Sequence, residues 1–262
     1  MDHAFDESHA IAAPAAPQVR HVGVGAPIQW LRLGAQDLQR SLRPSLRVGL
    51  LVAAAGWVLL LATWGIAYLV PALTGGFLLV APFAAILVYG LTRQLERGEP
   101  LDPAAARRAW RTNAQSIALF GFMLAVVLIF WERIAAIIFA AFYRGEPLAV
   151  KNLLTALVFS PEHLSLVLAL GAAGALIAAV AFALSVVSVP MLLDRPVDII
   201  TAVIASVQSC LRNPLPMLLW ALLIAVITWI GLLTFMVGLI VVFPWLAHAS
   251  WHAYRALVAF EE

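Results

Sequence analysis

The chain contains an uncharged run that is too long to cross a membrane only once. Residues 48–92 form a stretch of 45 residues without a charge. As one helix, this run would reach about 67 Å, more than twice the ~30 Å of a bilayer core. It must therefore fold back as a helical hairpin, and we expect Pro71 and the Gly75-Gly76 pair to form the turn. A second run, residues 213–254, repeats the pattern with 42 residues, and its turn is expected at Gly231–Gly238.

The composition supports an integral membrane protein. Hydrophobic residues make up 63% and charged residues 11% of the chain, against roughly 45–50% and 25% in soluble domains. A net charge of +2 gives no basic domain for nucleic acid. The single cysteine, Cys210, excludes an intramolecular disulfide and a cysteine-based metal cluster. No recognisable catalytic motif or cofactor motif is present, so we expect neither an enzyme nor a bound cofactor.

The charge-free runs predict an all-α, polytopic transmembrane helical bundle of about six spans. Residues 1–27 are acidic and rich in alanine and proline, and they are expected to form a disordered cytoplasmic arm. Residues 28–262 then form the transmembrane domain. Hydropathy leaves open whether the third helix crosses before or after Glu132. The predicted spans lie near 46–70, 74–94, 115–140, 164–190, 214–235 and 238–258.

The basic residues predict the orientation. Arginines concentrate in the N-terminal arm, in the loops after the second and fourth spans and near the C-terminus. Because cytoplasmic loops of membrane proteins carry the excess of Lys and Arg, both termini are expected in the cytoplasm. The composition favours the inner membrane of a bacterium.

Short amphipathic helices are expected at the membrane surface. Asp102-Pro103 is a typical helix start, and residues 197–212 place their apolar side chains on one helical face. These helices either simply connect and anchor the spans or bind lipid or a partner. The expected lipid-headgroup anchors are Arg107, Arg108, Trp110, Arg111, Trp251 and Arg255.

Glu132 and Arg133 interrupt the third apolar run and are candidates for an intramembrane polar site. As neighbours on a helix they point about 100° apart, so they cannot neutralise each other head-on. At membrane depth, each would need a partner or water, as in a substrate or proton site. The alternative is that the pair marks the far interface, with Phe130 and Trp131 as interfacial aromatics.

His248 and His252 are candidates for a metal site, because residues four apart share one helical face. Two imidazoles at about 6 Å could hold zinc or copper if further ligands were present. The sequence supplies no accompanying HExxH pattern and no cysteine on that span. The alternative is hydrogen bonding between helices and anchoring at the interface.

Three segments resemble a known family: SVVSVPMLLDRPVD at 185–198, NPLPMLLWA at 213–221 and PWLAHASWHAYRALV at 244–258. They are similar to the proteobacterial integral membrane proteins catalogued as domain of unknown function 2189. The likeness extends from about Gln29 to Val258. The resemblance implies a multi-span inner-membrane protein without an established activity, so no functional residues carry over. Names of some members suggest a subunit associated with an oxidase.

Two functions from different classes follow from this sequence. The first is a non-catalytic accessory or structural subunit, whose partners are the lipid bilayer and other membrane-protein subunits, a respiratory oxidase being one candidate. The alternative is a small-solute transporter or permease, for which the prolines within the spans and the Glu132-Arg133 pair would supply a hinged cavity and a polar site.

Overall fold

The structure, a computed structural model, describes residues 17–62, 69–143 and 164–260. Within residues 69–82 it describes the backbone and the side chain of Phe77. The described part of the chain is 84% helical with almost no strand, which confirms the predicted all-α class. The described residues form these elements: β1 Pro17–Val19, α1 Ala26–Arg40, α2 Leu42–Ala62, α3 Leu69–Glu96, α4 Pro103–Arg108, a 3₁₀ helix Ala109–Asn113, α5 Ala114–Phe142, α6 Leu164–Ser185, α7 Ser188–Asp194, α8 Ile199–Arg212, α9 Pro214–Leu233, α10 Leu239–Leu257 and β2 Val258–Phe260.

Four helical segments in the described part of the chain are long and apolar enough to cross a membrane: Leu42–Ala62, Pro103–Phe142, Leu164–Asp194 and Pro214–Leu233. They overlap the predicted first, third, fourth and fifth spans. The predicted second and sixth spans correspond to α3 and α10, and their crossing stays a prediction. The third span is one continuous helix, because α5 passes through Glu132 and Arg133 without a break.

The predicted turn of the first hairpin is wrong, because its residues are helical. Pro71 and Gly75-Gly76 lie inside α3 and do not form a turn, and residues 63–68 lie outside the described residues. Pro71 is the third residue of this helix. A proline is tolerated there because the first N–H groups of a helix have no intrahelical acceptor. The second hairpin turns at residues 234–238, inside the predicted range.

The predicted fourth span is broken at Val186-Val187 into α6 and α7. Pro190 has no N–H to bond the carbonyl four residues before it, so the helix loses continuity there. Serine hydroxyls bond the backbone groups at the break. Ser206 Oγ donates to the Ala183 carbonyl at 2.7 Å and accepts from Val187 N at 3.2 Å. Ser188 Oγ donates to the carbonyl of Leu184 at 2.5 Å. Backbone groups at the break therefore have hydrogen-bond partners, and the break is a defined feature of the fold.

The helix α10 lies at the centre of the bundle, packed mainly against α1, α2 and α3. Close approach to α1 and α2 depends on glycine. A Cβ on Gly34 of α1 would lie 2.6 Å from the Ala249 nitrogen, and one on Gly49 of α2 would meet the Ile240 carbonyl. The backbones of these helices are thus nearly in contact, which small residues permit in membrane bundles.

The two described ends of the chain meet in a short antiparallel ribbon. Pro17 pairs with Phe260 and Val19 with Val258. The expectation of a disordered arm over residues 1–27 is therefore corrected for residues 17–27, which form β1 and the start of α1; residues 1–16 lie outside the described residues. Both ends of the described chain lie on one side of the bundle.

The predicted surface helices are present as α4 and α8. Asp102 caps α4 by accepting a hydrogen bond from Ala104 N at 2.7 Å, and Asp198 caps α8 through Thr201. The small residues of α8, Ala202, Ala205, Ser206 and Ser209, are buried against the bundle. Its large apolar residues, Ile200, Ile204 and Leu211, point outward and are exposed. This outward apolar face suits a helix that lies in the membrane interface.

We expect Asp198→Ala to lower the free energy of unfolding by about 1 kcal/mol at neutral pH, because α8 loses its cap. The Asp198 carboxylate accepts from the Thr201 hydroxyl at 2.6 Å and from the Thr201 N–H at 2.9 Å. These two hydrogen bonds lower the pKa of Asp198. A lowered carboxyl pKa stabilises the fold above the unfolded value, so this contribution disappears as the pH falls below about 4.

Thermal unfolding in mild detergent at several pH values measures this effect. The gap between wild type and Asp198→Ala should narrow as the medium becomes acidic, whereas Asp198→Asn, which keeps a capping oxygen, should lose little at neutral pH. A gap that is the same at pH 7 and well below pH 4 would contradict the assignment.

Candidate functional site

A buried carboxylate joins three helices at one end of the bundle. Asp194 is the last residue of α7, and its side chain is 7% exposed. Arg93 Nε of α3 lies 3.1 Å from Asp194 Oδ1, and Arg93 Nη2 donates to the Asp194 carbonyl at 3.3 Å. The Tyr254 hydroxyl of α10 donates to Asp194 Oδ2 at 2.9 Å. Asp194 therefore ties the ends of α3, α7 and α10 together.

Glu96 extends this group of residues along α10. Arg255 Nε donates to Glu96 Oε1 at 2.8 Å, and the indole nitrogen of Trp251 donates to Glu96 Oε2 at 3.0 Å. Arg255 Nη1 and Arg195 Nε also lie 3.7 and 3.8 Å from Asp194 Oδ2. We call Arg93, Glu96, Asp194, Arg195, Trp251, Tyr254 and Arg255 the Asp194 cluster. Three arginines face two carboxylates in it, so the cluster keeps a net positive charge.

A second polar cluster surrounds the fully buried His248. His248 Nδ1 lies 2.7 Å from Thr92 Oγ1, and Nε2 lies 3.1 and 3.0 Å from the hydroxyls of Ser41 and Ser45. The Thr92 hydroxyl donates its one hydrogen to the Val88 carbonyl at 3.0 Å. Because that hydroxyl can then only accept from the histidine, the hydrogen bonds assign a proton to Nδ1.

His252 has a different partner from His248. Its Nε2 lies 2.6 Å from Asp37 Oδ2 of α1. A metal ion on the two candidate histidines would have to displace the serine hydroxyls from one and the carboxylate from the other. No group of three or more His, Cys, Asp or Glu side chains placed to hold a metal ion occurs within residues 17–62, 69–143 and 164–260. The hydrogen bonds of His248 and His252 join α1, α2 and α3 to α10.

Glu132 and Arg133 lie on α5, apart from both clusters. Glu132 is half-buried and Arg133 is exposed. Among the residues that the structure describes, neither forms an ion pair. The neighbouring ring of Trp131 packs on α6, where a Cβ on Gly174 would lie 3.2 Å from Trp131 Cη2. The polar pair is thus carried by the α5–α6 hairpin, whose outer faces are apolar and exposed.

The predicted headgroup anchors divide into two groups. Arg107, Arg108, Trp110 and Arg111 are exposed side by side around the start of α5, as an anchoring role requires. The prediction for Trp251 is wrong, because this side chain is fully buried and bonded to Glu96. Arg255 is 39% exposed, and its guanidinium is held by Glu96 and Asp194.

Reasoning from sequence missed the acidic partners of both clusters. Glu96 and Asp194 lie at helix ends next to Arg97 and Arg195, where a carboxylate is normally solvated. Asp37 is the one acidic residue of α1, and it stands among the residues of the helix that are buried: Pro27, Trp30, Leu31, Gly34 and Leu38. That pattern of 3–4-residue spacing was the available signal, because a carboxylate on the apolar face of a helix needs a partner.

Comparison with known proteins gives one match. The family described as "Predicted integral membrane protein (DUF2189)" matches residues 69–194. The matched range begins with α3 and ends at Asp194, so it contains Arg93, Glu96 and Asp194 and the SVVSVPMLLD part of the resemblance. No curated protein and no solved structure matches the chain. Residues 69–194 of this chain thus match the family of predicted integral membrane proteins that the sequence also resembles, the one catalogued as domain of unknown function 2189.

Proposed function

We propose that the protein is a non-catalytic accessory subunit that binds another integral membrane protein through its α5–α6 hairpin. The observation that carries this proposal is the Glu132-Arg133 pair on an otherwise uncharged helix. Neither side chain has an ion-pair partner among the described residues. A subunit of a larger membrane complex, such as a respiratory oxidase, would supply the complementary polar groups.

The packing of α5 on α6 supports a location of this pair near the centre of the bilayer. The helix α6 has 22 residues and carries no charge, so its length of about 33 Å fits a bilayer core of ~30 Å. Gly174 stands at the middle of α6, and the ring of Trp131 packs against it. Glu132 follows Trp131 directly, which puts it at the same level.

A charge at that depth is costly in lipid. Arginine or aspartate at the centre of a membrane helix costs about 2.5–3.5 kcal/mol on insertion scales, and such residues normally face a partner or a water-filled cavity. The surrounding surface of the hairpin is exposed and apolar, with Phe122, Phe130 and Leu176 among its largest side chains. A helix of a second protein could cover this surface and pair with Glu132 and Arg133.

Orientation and location are part of the proposal. The end of the bundle that holds the Asp194 cluster also holds the exposed arginines of α4 and the 3₁₀ helix. Because positive residues remain on the cytoplasmic side, we assign this end, and with it the paired chain ends, to the cytoplasm. A bacterial inner membrane is the corresponding location.

Co-purification in mild detergent tests the proposal. We expect the tagged full chain to co-elute with a defined membrane protein, identified by mass spectrometry, and Glu132→Leu/Arg133→Leu to lower its recovery at least tenfold. Gln115→Leu is the matched control, because Gln115 is an exposed polar residue on the same helix. It should keep the partner. The variants must retain the elution volume and the unfolding temperature of the wild type, which shows that they fold.

Two results would overturn this function. One is a chain that elutes alone, or that keeps its partner in Glu132→Leu/Arg133→Leu. The other is solute flux in liposomes that contain only this protein and that the same double variant abolishes, because a permease would use these two residues as its solute site.

Labelling tests the depth of the pair separately. In a Cys210→Ser background, cysteines at positions 132 and 133 should resist a membrane-impermeant thiol reagent, whereas a cysteine at exposed position 115 should react. Rapid labelling of both positions would place them at an interface and remove the main support of the proposal.

A further inference from the structure

An open cleft of about 150 Å³ lies beside the ribbon of the two chain ends. It is lined by Arg20, Arg195, Arg255, Val258, Ala259 and Phe260. The three arginines come from three distant parts of the sequence: the segment after β1, the end of α7 and the end of α10. The cleft therefore exists only in the folded chain, and its volume is several times the ~30 Å³ of one liquid water.

Two of the three arginine side chains at this cleft, and the backbone of the third, are held in place by the surrounding structure. The guanidinium of Arg195 stacks over the ring of Phe260 at 4.8 Å. Arg255 is fixed by its 2.8 Å hydrogen bond to Glu96. The Arg20 side chain is exposed, while its backbone is anchored, because its N–H donates to the Leu257 carbonyl at 2.8 Å and its carbonyl accepts from Asn213 Nδ2 at 3.0 Å. Such preorganisation lowers the entropic cost of binding a ligand.

The electrostatic balance favours an anion. Among the residues that the structure describes, the carboxylates within reach are Glu96 and Asp194, and they are already bonded to Arg93, Tyr254, Trp251 and Arg255. In that part of the chain, four arginines, with Arg20 included, face two carboxylates. Arginine recognises phosphate oxygens through pairs of N–H groups, which a compact cluster of arginines can direct at one phosphate.

We propose that this cleft binds a phosphate group. The adjoining elements indicate where that phosphate lies. The ribbon packs on the end of α8, since Arg212 Nη1 donates to the Val19 carbonyl at 3.2 Å. The outward apolar residues of α8, Ile200, Ile204 and Leu211, are suited to the membrane interface. The cleft thus lies at headgroup level, where an anionic phospholipid or a soluble phosphate can reach it.

Thermal unfolding of the full chain in an uncharged detergent tests the proposal. We expect added phosphatidylglycerol to raise the unfolding temperature in a saturable way. Arg20→Gln/Arg195→Gln should weaken the apparent affinity at least tenfold, and Arg20→Gln alone severalfold. Arg43→Gln/Arg47→Gln, which removes the same charge from two exposed arginines of α2, should change it less than twofold.

Separate arms identify the source of the phosphate. A shift with phosphatidylglycerol that millimolar inorganic phosphate does not reproduce assigns the site to a lipid headgroup, and an equal shift with inorganic phosphate assigns it to a soluble ligand. The proposal is overturned if neither probe shifts the transition, or if the two double variants respond alike. It is also overturned if a shift appears only after Glu261→Gln/Glu262→Gln, because the chain's own carboxylates would then occupy the cleft.

Discussion

Replacing Asp194 by alanine should lower the free energy of unfolding by about 2–3 kcal/mol, because the ends of α3, α7 and α10 lose the carboxylate that connects them. The substitution removes the carboxylate that bonds Tyr254 and that faces Arg93 at 3.1 Å. Removing one partner of a buried ion pair typically lowers the free energy of unfolding by about 3–5 kcal/mol. We expect less here, because Arg93 keeps 24% of its side chain exposed and can regain some water.

Two further variants make this prediction specific. Asp194→Asn keeps an acceptor for the Tyr254 hydroxyl but loses the charge. Its free energy of unfolding should therefore lie between those of the wild type and Asp194→Ala. Glu99→Ala breaks the exposed pair of Glu99 with Arg97, whose side chains are both 51% exposed, and should cost less than about 0.5 kcal/mol. Unfolding in mild detergent measures all three. Equal losses for Asp194→Ala and Glu99→Ala would contradict the role of the Asp194 cluster.

The sequence predicts the class of the fold because the dominant energy term is visible in it. Lipid excludes charge, so the spacing of arginines and glutamates marks the helices without knowledge of their neighbours. The caps Asp102 and Asp198 were also predictable, since capping is a contact within a few residues. The four described helical segments that are long and apolar enough to cross a membrane follow from such local rules.

The positions that the sequence did not predict depend on contacts across the bundle. The break at Val186-Val187 needs Ser206, which is bonded from a different helix. Pro190 was visible in the sequence, but a membrane helix often continues past a proline. The predicted position of the first hairpin turn was wrong for a similar reason. The Gly75-Gly76 pair is compatible with a helix when packing supports it.

The candidate site shows the same limit. His248 and His252 were correctly recognised as a pair on one helical face, but their different partners, three hydroxyls and one carboxylate, come from α1, α2 and α3. Tryptophan is a residue type that is common at membrane interfaces, but Trp251 is buried, because Glu96 accepts its indole N–H. An aromatic residue with a polar tip fits either place, and only its partner decides which.

A side chain at Gly49 should be the most damaging single change in the spans. A Cβ at this position would overlap the carbonyl of Ile240, which belongs to the backbone of α10. Backbone cannot move aside as a flexible side chain does, so α2 and α10 must separate. Overpacking usually costs about 1–3 kcal/mol, and we expect Gly49→Val to reach or exceed the upper value, with Gly49→Ala somewhat below it.

The separation should also reach the His248 cluster. Ser45 and Gly49 lie four residues apart on α2, and Ser41 stands directly before this helix with its carbonyl bonded to Ser45 N, so the three residues face α10 in one row. Moving α2 outward lengthens the 3.0 Å contact between Ser45 Oγ and His248 Nε2, so this buried nitrogen loses one of its two hydroxyl partners. Gly171→Ala is the control, because a Cβ there meets nothing within 4 Å. That change should be neutral or stabilising by up to about 1 kcal/mol, since alanine favours a helix. If unfolding in detergent shows that Gly49→Ala is tolerated as well as Gly171→Ala, the two backbones are not in contact and the central position of α10 is wrong.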